Sequence, residues 1–300
     1  MELIRPDVNI DFVRYTKSAA FVSLVFILVG LISIWSRGGL NYGVDFTGGI
    51  VVHAKFTQPL DIADIRQALG AADITDVTVQ DFGQDGNEFL IRTPMVEGDV
   101  ASFSERVRQS LLTQFGTPAF EIQRVEAVGP KVGKDLRRKA LLAVLFATIM
   151  MGVYIALRFE LRFGIGALIA LIHDVLITLG GLSVMALEVD LTVIAALLTI
   201  VGFSVNDTVI VCDRIRENMR KLRRDSLATV INRSLNDTLS RTIITNGTAL
   251  ITVLVLFVLG GEVIHAFAFA LLVGFIAGTY SSVYIASPIV LFWGETSGRR

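Results

Sequence analysis

The stretch VGFSVNDTVIVCDRIREN, residues 201–218, decides the class of this chain. It is apolar over helix length, carries the pair Asn206-Asp207, and runs out into a cluster of charge beginning at Asp213. A carboxylate at the centre of a membrane span costs about 2.5 to 3.5 kcal/mol on insertion scales, so by default it marks an ion or proton path. Asp207 precedes Asp213 by six residues. At 1.5 Å per residue that places it about 9 Å in from the charged end.

Outward from this stretch, the 300 residues are 53% hydrophobic and only 18% charged, with a mean hydropathy of +0.63. That is not a soluble composition. Apolar runs predict six membrane spans, at 19–36, 139–157, 164–187, 191–212, 241–259 and 264–293. Each is near the ~20 residues that cross ~30 Å of hydrocarbon. The first has a long flank of mixed charge and a poor cleavage site at Ser33-Ile34-Trp35, so it reads as an uncleaved anchor rather than a signal peptide. The net charge of −1 says nothing about a nucleic-acid partner; no basic stripe interleaved with aromatics occurs in the sequence, and no such partner is expected. The single Cys212 allows no internal disulfide and reads as apolar packing.

Orientation follows from the short loops. Arg158 and Arg162 follow span two, seven Lys or Arg from Arg214 to Arg233 follow span four, and the tail ends Arg299-Arg300. The alternate loops hold Glu188, Asp190 and Glu262. Both termini, 1–18 and 294–300, and the loop 213–240 are therefore expected in the cytoplasm. Lys134, Arg137, Arg138 and Lys139 disagree, but they follow a long loop, where the rule is weak.

The one large polar segment, 37–138, is then extracytoplasmic. Strand-like runs at 50–56, 76–82, 88–92 and 120–128 alternate with helical spacing at 60–71 and 100–115, with turn chemistry at 84–87. The order βαββαβ predicts a ferredoxin-like α+β domain. The chain as a whole is thus expected to be a six-span α-helical membrane protein carrying one such domain. The domain has no clustered nucleophile, base or metal-ligand spacing, and its one histidine, His53, reads as structural. In the loop 213–240, Leu227, Val230, Ile231, Ser234, Leu235, Thr238 and Leu239 form one helical face. It reads as an amphipathic interfacial helix or as a connector packed on the spans. Gly274 and Gly278 form a GxxxG, and Gly164, Gly166, Gly180 and Gly181 add small surfaces for helix packing. Pro288 can kink span six.

Three ionisable positions fall within or at the spans. Asp174 follows His173 about 15 Å into span three by helical rise, Asp207 lies in span four, and Arg241 opens span five. A carboxylate in lipid couples its protonation to access and to nearby cations, and an Arg beside it favours the ionised form. Structural readings stand beside these. Asp207 could bond neighbouring helices through Asn206, Thr208 or Thr245, and His173 could merely hold Asp174. Arg241 could be a snorkelling anchor; it meets Asp207 only if span five begins earlier than residue 241.

The ordered motifs Tyr42-Gly43-Val44-Asp45-Phe46-Thr47-Gly48-Gly49, Val128-Gly129-Pro130-Lys131-Val132-Gly133, Arg158-Phe159-Glu160 with His173-Asp174, residues 201–218, and Arg241-Thr242 with Thr245 and Gly247 resemble those of the SecF family over nearly the whole chain. The resemblance implies a half-bundle of the RND superfamily that pairs with SecD and works with SecYEG, YajC and a translocating preprotein. It further implies a bacterial inner membrane, membrane lipid around the spans, and proton motive force as the driver. Asp207, Arg241, Asn206 and Asp174 would then form a proton relay that SecD completes. Nothing in the family implies a cofactor, a metal or covalent catalysis.

RND exporters commonly carry two adjacent aspartates where Asn206-Asp207 stands, which argues against a small-molecule or lipid exporter half. Intramembrane aspartyl proteases usually show Tyr-Asp and Gly-x-Gly-Asp, unlike the flanks of Asp174 and Asp207. A passive scaffold for SecD is the blandest alternative. At the domain start, Gly48 and Gly49 suit a sharp turn needing positive φ, and Asp45 could cap that turn or touch a client.

Overall fold

The structure, a computed structural model, describes residues 9–74, 77–82, 86–93, 100–116 and 119–297. Residues 76, 84, 85, 299 and 300, and the first eight of the N-terminal segment, which figured in the strand, turn and orientation readings above, lie outside them. In chain order the elements are α1 (Thr16–Ser36), α2 (Val44–Thr47), β1 (Gly49–Phe56), α3 (Ile62–Ala71), β2 (Thr78–Asp81), β3 (Glu88–Thr93), α4 (Val100–Phe115), β4 (Phe120–Val128), α5 (Pro130–Arg158), α6 (Leu161–Val184), α7 (Leu191–Lys221), α8 (Leu227–Leu259), α9 (His265–Ser281) and α10 (Ser287–Ser297). A π-helical turn, Ser282–Ala286, joins the last two. The chain divides into two compact units, Met1–Asn41 with Leu141–Arg300, and Tyr42–Ala140.

The second unit is the expected βαββαβ domain. Its antiparallel sheet has the order β2-β3-β1-β4, the ferredoxin-like arrangement. Alternation along β3 buries Phe89 and Ile91. They meet Val52, Ala54 and Phe56 of β1 and the apolar stripes of α3 and α4, namely Ile65, Leu69, Val107 and Leu111. Asp61 caps α3 by accepting from the Ala63 amide at 2.9 Å, satisfying one of the free donors of its first turn. At the domain's start Gly48 and Gly49 have φ of +76° and +131°, which side-chain-bearing residues adopt only at a cost. A Cβ on Gly133 would lie 3.0 Å from the Gly48 nitrogen and the Phe46 oxygen. The two glycine motifs flanking the domain therefore abut.

Among the described residues, six helices are long and apolar enough to cross a membrane. Burial ranks them: α6, α7 and the last span are 50%, 56% and 50% buried over their most apolar window, against 17% for α1 and α8. Glycines set the close crossings. A Cβ on Gly30 of α1 would lie 2.7 Å from the Gly180 Cα of α6, and Gly274 and Gly278 of α9 pack on Ile200 and Ser204 of α7. This is the small-residue packing that lets helices approach where no hydrophobic drive exists.

Three helices differ by more than two turns from their expected bounds. Pro130 begins α5 nine residues before the span drawn at 139; proline suits a first helical position, where its missing N–H is not needed. Helix α7 runs to Lys221, and α8 begins at Leu227. The amphipathic segment is thus the first half of the same helix as span five, not a separate helix on the membrane surface. Its sequence has no Pro or Gly to break it between residues 227 and 246. Ile231 and Leu235 bury into a core with Phe12, Phe163, Cys212 and Ile215. The Asn232 and Asn236 side chains accept from the Phe12 and Ile10 amides at 2.8 Å each, pinning the N-terminal segment to α8.

Span six stays helical throughout but changes pitch near its end. Pro288 cannot donate to the carbonyl four residues back, and its ring crowds it. The helix widens into the π turn just before it, an arrangement found mostly as single turns at functional places.

Candidate functional site

Helical periodicity puts Ser204, Asp207, Thr208, Val211 and Ile215 on the buried side of α7. Asp207 is 3% exposed. Its Oδ1 accepts from Thr242 Oγ1 at 2.8 Å and its Oδ2 from Ser282 Oγ at 2.6 Å. Both donors are uncharged hydroxyls, one from α8 and one from the π turn.

Two of the expected neighbours are elsewhere. Asn206 is one helical step round from Asp207, or 100°, and lies exposed beside Gly202. Arg241 is also exposed, and among the described residues no ion pair joins it to Asp207. Span five does begin early enough, but it presents Thr242 rather than Arg241 to the carboxylate. Arg241 instead lines a cavity of about 690 Å³ with Arg158, Ile210, Asp213, Asp237 and Thr238. Ile210 is one turn beyond Asp207 and Arg241 is next to Thr242, so the cavity lies beside the carboxylate's own helix turns.

Asp174 is fully buried on α6. Its Oδ2 accepts from Ser204 at 2.6 Å and Ser281 at 2.9 Å, and its Oδ1 lies 2.9 Å from His173 Nδ1. The network continues outward: His173 Nε2 is 3.1 Å from Ser23 Oγ, Ser23 donates to Tyr280 Oη at 3.1 Å, and Tyr280 donates to the Ala19 carbonyl at 2.6 Å. Hydrogen counting then constrains the pair. Ser23 has a single hydrogen, and it points to Tyr280, so His173 Nε2 must be the donor to Ser23. A neutral imidazole would leave Nδ1 bare toward a bare carboxylate oxygen. With Nε2 donating, one proton shared between Nδ1 and Oδ1 would satisfy both atoms and leave the pair neutral overall.

Asp174 and Asp207 have separate donor sets, and no hydrogen bond joins them among the described residues. They are not a dyad sharing one proton. They do share a neighbour: consecutive residues Ser281 and Ser282 bond one each. Sequence reasoning missed Ser23, Tyr280, Ser281 and Ser282. The available signal was a pair of adjacent hydroxyls in an apolar span, six residues before a proline. At the domain start, Asp45 lies in the first turn of α2. His53 Nε2 is 2.9 Å from Glu88 Oε2 in the sheet, a structural partner.

Fold and buried carboxylates together define a multi-pass membrane protein with one βαββαβ domain between its first two spans. Residues 107–296 match the family described as protein export membrane protein SecD/SecF, C-terminal, and residues 32–60 match the SecD/SecF GG motif. The chain is 46% identical over 290 residues to the protein translocase subunit SecF of Desulfurispirillum indicum, covering 95% of this chain and 91% of that one. The identity to the SecF of Calditerrivibrio nitroreducens is 45% over 293 residues, covering 97% and 96%. The crystal structure of SecDF from Thermus thermophilus, titled a translocon-associated membrane protein, superposes with a TM-score of 0.85 at 35% identity. That match covers 98% of this chain and 40% of the SecDF chain. This chain belongs to the SecD/SecF family, among its SecF members.

Proposed function

We propose that the chain is the SecF-type subunit of a SecDF complex for protein translocation across a bacterial inner membrane, driven by the proton motive force, with Asp207 as the group that takes up and releases the proton. The single observation behind the mechanism is a carboxylate buried in a span and held, among the described residues, by uncharged hydroxyls, with a cavity lined by Ile210 and Arg241 a helix turn away. A carboxylate in a span with no counter-charge among the described residues has its protonation coupled to the water, cations or partner groups that reach it, so access can switch it between ionised and neutral forms. Arg241 stands at the cavity, where it supplies positive potential without being locked to Asp207.

SecD would cover the exposed side of α7 at Gly202 and Asn206, completing the path, while SecYEG, YajC and the preprotein would meet the assembled complex. Short-loop charge puts both termini and residues 213–240 in the cytoplasm, the cavity on that side, and residues 37–138 outside. His173–Asp174 is a second, closed proton site. The expected chemistry is proton transfer and movement, not covalent catalysis.

The test is Asp207→Asn in inverted vesicles carrying the complex. Proton-gradient-dependent translocation is expected to fall to background while co-purification with the SecD subunit persists. Wild-type gradient dependence in that variant would sink the proposal.

A further inference from the structure

Two hydrogen-bonding features converge on one turn of the last span. Ser281 Oγ is 2.9 Å from Asp174 Oδ2 and 3.2 Å from the Gly278 carbonyl; Ser282 Oγ is 2.6 Å from Asp207 Oδ2 and 3.0 Å from the Thr279 carbonyl. Each hydroxyl has one hydrogen and two acceptors in reach, the carboxylate being the nearer. Ser282 is also the first residue of the π turn, whose last carbonyl, that of Ala286, would lie 2.9 Å from a Cβ on Gly166 of α6.

We propose that Ser282 is a positioning residue through which protonation of Asp207 moves the π turn, with Ser281, held by Asp174, as the fixed pivot. This rests on the reading of Asp207 as the proton-bearing group. An ionised Asp207 can only accept, so it holds the Ser282 hydrogen. A protonated Asp207 Oδ2 becomes a donor, and Ser282 Oγ is the acceptor at that oxygen. The serine hydrogen then turns to the Thr279 carbonyl. Serine bonding back to the preceding turn bends a helix, and here the turn is already widened and ends at a proline, where the ladder resists least. Ser281 does not toggle, because the proton of the Asp174 site lies on the other oxygen, toward His173.

The titratable groups around the pivot are His173 of α6 and Tyr280 of α9, while α1 presents Ser23. Around the switch, Tyr284 of the π turn packs on Tyr280 and Phe12. The charged groups of α7 and α8, Asp213, Arg214, Asp237 and Arg241, line the cavity, and Arg158 of α5 joins them. None is an ion-pair partner of Asp207 among the described residues.

The experiment uses the full chain assembled with its SecD subunit in vesicles. Two readouts are taken: the pH profile of gradient-dependent translocation, and pH-difference infrared spectra that report the carboxylic-acid stretch and the helical amide band together. Ser282→Ala removes a donor to the ionised form and should move the profile upward by roughly one to two pH units. The acid band should remain while the accompanying amide change is lost, and Ser282→Thr should restore both. An unchanged profile and an intact amide change in Ser282→Ala overturn the proposal. Should that variant fail to assemble, Pro288→Ala keeps every donor and lets the turn close to α geometry; the amide change should vanish, and its persistence overturns the proposal. Asp207→Asn separates the two levels. If it leaves gradient dependence intact, the proton-bearing role of Asp207 fails and this proposal with it. If it abolishes gradient dependence while Ser282→Ala behaves as wild type, only the role of Ser282 fails.

Discussion

His173 meets Asp174 in the helical bundle, and His53 meets Glu88 in the βαββαβ domain, each with a nitrogen–oxygen separation of 2.9 Å. The surroundings are opposite. Asp174 is out of water and braced by Ser204 and Ser281. Glu88 keeps 21% of its side chain exposed and binds Lys55 at 2.6 Å on its other oxygen. Distance alone therefore does not rank the two pairs. In the bundle each lone pair must be matched because water cannot substitute; in the domain the pair is only partly buried and an exposed, flexible lysine shares the carboxylate, and ion pairs open to water on one side contribute little.

The comparison breaks most visibly at Asp174. Asp174→Ala should destabilise the bundle by about 3 to 5 kcal/mol, the cost of leaving buried polar groups without their ionic partner. Asp174→Asn should cost under about 1 kcal/mol, because the amide reproduces the neutral pair: its NH2 donates to His173 Nδ1 and its oxygen accepts from Ser204 and Ser281. Thermal unfolding in detergent measures both. A large loss in Asp174→Asn would mean that the pair does not hold its proton as the hydrogen count requires.

This distinction was only half legible in the sequence. The domain was readable because its alternation and helical spacing are local: the runs at 100–115 and 120–128 coincide with α4 and β4. Asp174 and Asp207 stood out because carboxylates are expensive in apolar spans. What they bond to was not readable. Ser281 and Ser282 reach them across 107 and 75 residues of chain, and Ser23 reaches His173 across 150; isolated serines are unremarkable in any span. The join of the amphipathic segment to span five was hidden for a related reason. Its polar face ends hydropathy, but nothing in it ends a helix.

Arg241 sharpens the same lesson at intermediate scale. It is exposed and unpaired with Asp207, so Arg241→Gln should change the unfolding of the isolated chain by less than about 0.5 kcal/mol. In the complex with SecD, gradient-dependent translocation should nevertheless fall severalfold or more. A clear loss of stability in the isolated chain would show that Arg241 supports the fold. The reading of it as a charge at the cavity would then fail.

The smallest effect belongs to Glu88. The hydrogen bond from Lys55, with His53 and the charges of both behind it, holds this carboxyl below the ordinary value of 4.5 despite its partial burial. A group whose folded value is depressed contributes stability that is present above its unfolded value and lost as the pH falls through the folded one. The domain should therefore lose a fraction of a kcal/mol, roughly what an exposed pair contributes, as the pH drops below about 4.5. Glu88→Gln should flatten that step and leave neutral stability almost unchanged. Hydrogen exchange at β1 and β3, followed from neutral pH downward in the intact chain, reads this directly. If Glu88→Gln instead unfolded the sheet at neutral pH, the exposed pair would carry the weight assigned here to the buried one.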